Sequence, residues 1–224
     1  MSVQKYYLLQ RILAVLSVLL IVKVTTGIVL GYHFYLPPDF NSDFLRGRED
    51  YFYGVYCWAF YVHIISGPVT LLLGLLLLSE PLRNTYPHWH RCMGGCQGLI
   101  VLFLLAPSGL WMSLYASGGI SVTISLALLA GLTAVAVMFG WKAALQHDFD
   151  LHRRWMLRSY ILICSAVVLR LLGGLGSFLG NVPLWYDPAA TWLSWLVPIL
   201  IFEIYQAQNS KSKHYRMSEL NKVL

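Results

Sequence analysis

Apolar residues in this chain come in long unbroken blocks, with the polar residues gathered between them. Runs such as the LLLGLLLL after Thr70 lack the alternation of a half-buried or barrel strand. Crossing a hydrocarbon core of about 30 Å takes roughly 20 mostly apolar residues in a helix. Six stretches qualify, at about residues 8–34, 53–79, 92–116, 120–145, 155–180 and 189–206. The pattern therefore predicts an all-α, integral membrane bundle of six transmembrane helices over residues 1–207, with a basic cytoplasmic tail over 208–224. Lys5 and Arg11 precede the first run as in a signal peptide. That run is too long for an h-region and no small-x-small site follows, so it reads as a retained helix.

Composition agrees. Of the 224 residues 58% are hydrophobic and 12% charged, half the charge of a typical soluble domain at about 25%. The net charge of +6 is explained by its placement. With the N-terminus inside, the inner side holds Lys5, Arg11, Arg83, Arg91, Lys142, Arg153, Arg154, Arg158, Lys211, Lys213, Arg216 and Lys222. The outer loops hold only Arg46 and Arg48, among the acids Asp39, Asp43, Glu49, Asp50 and Asp187. That bias puts both termini in the cytoplasm, makes the lipid bilayer the partner of the basic surface, and leaves no case for nucleic acid.

Two inner segments carry similar phrases, Pro87-His88-Trp89-His90-Arg91 before the third span and Phe149-Asp150-Leu151-His152-Arg153-Arg154-Trp155 before the fifth. The offset of 62 residues between His90 and His152 suggests two repeated helical hairpins, helices 2–3 and 4–5. Both histidines then lie at the inner face. Two neutral imidazoles on neighbouring helices can be axial ligands to a haem b iron, with Arg91, Arg153 and Arg158 on the propionates. The competing reading has both histidines bonding lipid phosphate or backbone. His88, Cys92 and Cys96 raise a zinc or copper site, against which small apolar cysteines also simply pack. Cys57 and Cys164 differ too much in depth to form a bridge.

Three ionisable residues fall mid-span: Lys23, His63 and Arg170. Counting from His33, Tyr53 and Gly180, each is ten positions, about 15 Å, from its outer end, which predicts one shared level near the midplane. No carboxylate shares that level, so a quinone head, a small anion or a propionate is the expected partner, with His63 as hydrogen-bond partner or axial ligand. The alternative is that Lys23 snorkels and Arg170 bonds helix carbonyls. Gly27/Gly31, Gly94/Gly98 and Gly176/Gly180 mark close-packing faces. Trp141, Trp155, Trp185, Trp192 and Trp195 read as interfacial anchors. Phosphate loops, nucleophile elbows and zinc-protease helices are absent from the sequence.

His63 followed by Gly67, His90-Arg91-x-x-Gly94, then His152-Arg153-x-Trp155-Met156-x-Arg158-Ser159-Tyr160 and Arg170 together resemble a family of multi-pass membrane proteins, domain of unknown function 2306. The resemblance spans about Tyr53 to Gly180 and implies a bacterial inner-membrane protein. A looser resemblance is to the cytochrome b561 architecture, six helices holding two bis-histidine haems. Helix four has no histidine in its span to pair with His63, so that resemblance implies one haem at most. The favoured expectation is a membrane redox protein with one b-type haem, a quinone, or both. A cofactor-free carrier of a small anion or lipid is the alternative, as is a structural or assembly subunit without chemistry of its own; a redox partner or a second copy of the chain is the expected protein partner.

Overall fold

The computed structural model describes the backbone of residues 3–42 and 44–223; the side chains at 3, 6, 7 and 210–223 are outside the described set. Six helices are long and apolar enough to cross a membrane: α1 Leu8–Phe34, α2 Val55–Leu77, α3 Pro87–Ser113, α4 Ile120–Leu145, α5 Phe149–Leu179 and α6 Tyr186–Asn209. Two of them begin earlier than the hydropathy suggests, near 87 and 149 rather than 92 and 155. Pro87 suits a first helical position, where its missing N–H costs nothing. Asp148 caps α5, its carboxylate accepting the Leu151 N–H at 3.0 Å. His90 and His152 are thus each the fourth residue of their helix, in matching register. The last helix continues to Val223 instead of stopping near 206. The charges at Lys211, Lys213, Arg216 and Lys222 belong to side chains outside the described set, as does the acid at Asp43.

Helices α2 to α5 form a four-helix bundle. α2 and α4 each pack against both α3 and α5, whereas no Cα of α3 comes within 8 Å of a Cα of α5, so those two are diagonal. All four contribute to one apolar layer of Leu71, Val101, Val137, Ile163 and Val167. α6 covers α4 and α5, and α1 leans on α2 and the C-terminal half of α5. Indole donors fix α6: Trp195 is buried and donates to Ser125 at 2.9 Å, and Trp192 to Ser121 at 3.1 Å. Trp195 is therefore a packing contact rather than an interfacial anchor, and both tryptophans donate to one face of α4, where Ser121 and Ser125 lie.

Prolines set the irregular backbone. Pro107 cannot donate a helical hydrogen bond, and the chain widens to a π turn over Val101–Leu105 just before it. Pro68 likewise leaves the Ile64 carbonyl without its helical donor, and the Tyr32 hydroxyl of α1 donates to it at 2.5 Å. Gly74 lies directly under the Tyr160 ring, where a Cβ would overlap it. Gly98 meets the Trp141 ring, whereas Cβ positions at Gly27 and Gly31 have nothing within 4 Å.

The end of the bundle that the charge bias predicts to face outward, the outer end, is closed by the loop before α2. Leu45, Phe52, Tyr56 and Phe60 form a buried cluster there, with Phe44 stacked on Phe60. Arg48, only 8% exposed, lies inside it. Its Nε donates to the Phe44 carbonyl at 2.7 Å, and Nη1 reaches Tyr51 and Tyr56 hydroxyls at 3.1 Å and the Tyr115 carbonyl at 2.9 Å. The guanidinium sits 4.7 Å from the Phe44 ring centre, a cation–π contact.

Candidate functional site at the inner mouth of the bundle

The matching register of α3 and α5 brings His90 and His152 to the same end of the bundle, on diagonal helices, within electrostatic reach of one another and of Arg83. Both are half-buried. His152 Nδ1 lies 2.8 Å from the Gly140 carbonyl. A carbonyl only accepts, so Nδ1 carries the proton and Nε2 keeps its lone pair. His90 Nδ1 is buried and has no hydrogen-bond partner among the described residues.

Two turns deeper, Gln97 is 2% exposed. Its Nε2 donates to the Thr70 carbonyl at 3.0 Å, while Oε1 has no partner among the described residues. The Tyr160 hydroxyl donates to the Leu71 carbonyl at 3.1 Å, and its ring fills the space over Gly74 next to Gln97. Sequence reading passed over Gln97; the available signal was a lone amide on an apolar helix, seven residues from His90.

The arginines divide. Arg91 and Arg153 are exposed at the rim. Arg158, expected to meet an anionic ligand, is instead held by Glu203 of α6, with Nε and Nη2 at 2.6 and 2.9 Å from its two carboxylate oxygens. Its guanidinium also stacks 4.6 Å from the Trp155 ring. The docking of α6 onto α5 brings in this acid, and spacing along one chain segment does not reveal that pairing.

The mid-span group is not brought together. His63 Nδ1 is 3.3 Å from the Ser108 hydroxyl, which itself donates to the Leu104 and Leu105 carbonyls of the π turn at 2.5 and 3.1 Å. Its ring lies on Gly109, where Ala130 of α4 also approaches. Arg170 is exposed, lies within electrostatic reach of the Tyr32 oxygen, and has no hydrogen bond or ion pair among the described residues. Lys23 is exposed, and its neighbours Ile21 and Val24 pack on the layer around Leu71. Leu71 is eight residues from His63, about 12 Å along α2, so the expected common depth fails for Lys23. The reason is the Tyr32–Ile64 contact, which sets the outer end of α1 level with His63 rather than with the start of α2.

All four cysteines are free thiols, with Cys92 and Cys96 exposed. No three His, Cys, Asp or Glu side chains gather as metal ligands among the described residues. A cleft of about 210 Å³ lies elsewhere, at the outer end between Gly173, Gly176, Ser177, Tyr186 and Asp187. In donor chemistry the inner pair is of the kind that would hold a haem iron. His152 has its Nε2 freed by a backbone acceptor, His90 lies within electrostatic reach of it, and Gly94, one turn beyond His90, adds no side chain beside it.

Residues 60–206, well over half the chain, match the family model described as predicted membrane protein, DUF2306. The chain is a member of that family of integral membrane proteins. No curated protein and no solved structure matches it, so the cytochrome b561 resemblance gains no support from them.

Proposed function

We propose that this family member is a redox protein of the bacterial inner membrane, with both termini cytoplasmic, that binds one b-type haem through His90 and His152. The observation supporting this reading is the His152–Gly140 hydrogen bond, which puts the proton on Nδ1 and leaves Nε2 with its lone pair. When bound, the haem supplies one-electron transfer. The chain's own residues then have distinct tasks. Gly140 orients His152, Arg91 and Arg153 meet carboxylates at the rim, and the Leu71–Val101–Val137 layer excludes water from the membrane side. Arg158 holds α6 in place instead. Protein purified from haem-replete cells is expected to give a reducible haem spectrum, lost in His152→Ala and His90→Ala and kept in His63→Ala. A colourless, folded preparation overturns the reading.

A second reading concerns Arg170, whose unpaired charge at membrane depth favours a carbonyl-bearing or anionic ligand such as a quinone head. Stabilisation of the purified protein by a short-chain quinone is expected to disappear in Arg170→Gln. If neither quinones nor small anions raise the melting temperature of the wild type, this reading is dropped.

A further inference from the structure

His90 and Gln97 are seven residues apart on α3, hence on one face and separated by about 10.5 Å along the axis. Each has a buried polar atom without a partner among the described residues, Nδ1 of His90 and Oε1 of Gln97. The roles of the Gln97 amide are settled by its own hydrogen bond. Because Nε2 donates to the Thr70 carbonyl, the free atom is an acceptor that needs a donor. Side chains on a helix lean toward its N-terminus, so this amide leans toward His90 and the cytoplasmic mouth. Folded proteins rarely leave such atoms unmet, and two on one face, open at the end where His90 is half-buried, call for a ligand that donates to Oε1 and can meet Nδ1 in either role.

We propose that a short file of buried water enters from the cytoplasmic mouth along this face of α3, accepting from His90 Nδ1–H and donating to Gln97 Oε1. Water suits these atoms because it can both donate and accept, and the Gln97 amide lies beside Gly74, the Tyr160 ring and the Thr70 carbonyl. The file ends at Val101, one turn beyond Gln97, where the apolar layer begins. Gln97 is then a positioning residue: through the water it holds the proton on His90 Nδ1 and leaves Nε2 with its lone pair. The Gly140 carbonyl does the same directly for His152. The two histidines are thereby prepared alike, one by backbone and one by water. This holds whatever the pair binds, and so stands apart from the haem reading.

The test is water-edited solid-state NMR on the full chain in lipid bilayers, following magnetisation transferred from water to each side chain. The Gln97 amide and the His90 ring are expected to gain signal nearly as early as exposed His88, while Leu71 and Val101 lag. In Gln97→Leu the His90 ring nitrogens are expected to leave the Nδ1-protonated pattern. In Gln97→Glu, which keeps an acceptor oxygen, they should hold it. Gln97 gaining signal as slowly as Val101 in the wild type overturns the proposal, and that measurement needs no variant to fold. An unchanged His90 pattern in a folded Gln97→Leu protein overturns the positioning role. Neither result depends on a haem spectrum, whose loss would count against the haem reading alone.

Discussion

The two ends of the bundle handle buried polarity in opposite ways. At the outer end Arg48 is surrounded by aromatic rings, and its bonded nitrogens reach two carbonyls and two tyrosine hydroxyls. At the inner end the buried His90 Nδ1 and Gln97 Oε1 have no partners among the described residues. A charge held by several acceptors in its surroundings holds structure together. Polar atoms left open in an otherwise packed region point to something that arrives from outside. The contrast separates a closed outer cap from an inner mouth prepared to bind.

If that division is right, the largest loss of stability should come from the cap. Arg48→Ala removes a charged donor and strands the carbonyls of Phe44 and Tyr115, an expected cost of about 3 kcal/mol or more in denaturant unfolding in detergent. Arg48→Lys should recover less than half, since one ammonium cannot reproduce a planar fork with several acceptors. A near-neutral Arg48→Ala would erase the contrast between the two ends.

The inner end should be sensitive in another way, through shape. Gly74→Ala forces a methyl into the Tyr160 ring and is expected to cost about 1–3 kcal/mol in the same assay. Gly27→Ala, where a Cβ meets nothing within 4 Å, should leave stability unchanged or slightly raised. Equal costs at both glycines would mean the inner packing is looser than its contacts indicate.

The smallest effect belongs to the clamp on α6. Arg158 and Glu203 side chains are 21% and 43% exposed, so solvent and headgroups screen their attraction. A double-mutant cycle with Arg158→Gln and Glu203→Gln should give a coupling of about 0.5–2 kcal/mol. A larger value would show that this pair, rather than the mouth, is where the inner end stores its polar energy.

Parts of the site were legible along the chain and parts were not. The repeated His-Arg phrase put His90 and His152 at one level, and the structure has them in the same helical register because Pro87 and Asp148 start both helices three residues earlier. Those two start signals were readable, but hydropathy alone places the boundary where polar residues end, which is later than where helix begins. Counting inward from presumed outer ends misjudged Lys23, because it assumed that all helices end at one plane. Arg158 looked free because its acid lies 45 residues away on another helix. The roles of Gln97 and Arg48 are not legible along the chain, since one amide or one loop arginine has no pattern until its surroundings are known.

Six spans, their alternation and the gathering of the basic residues on one side follow from the order of residues by itself. Each depends on a property of a contiguous segment: length against bilayer thickness, helical satisfaction of its own backbone, and charge at its ends. Which helices are diagonal, which cation meets Glu203, which carbonyl orients His152 and which buried atoms stay unpartnered were decided only in three dimensions. These are relations between side chains far apart in the chain, set by the packing of helices on one another. Nothing in a single helix encodes what its neighbour will present.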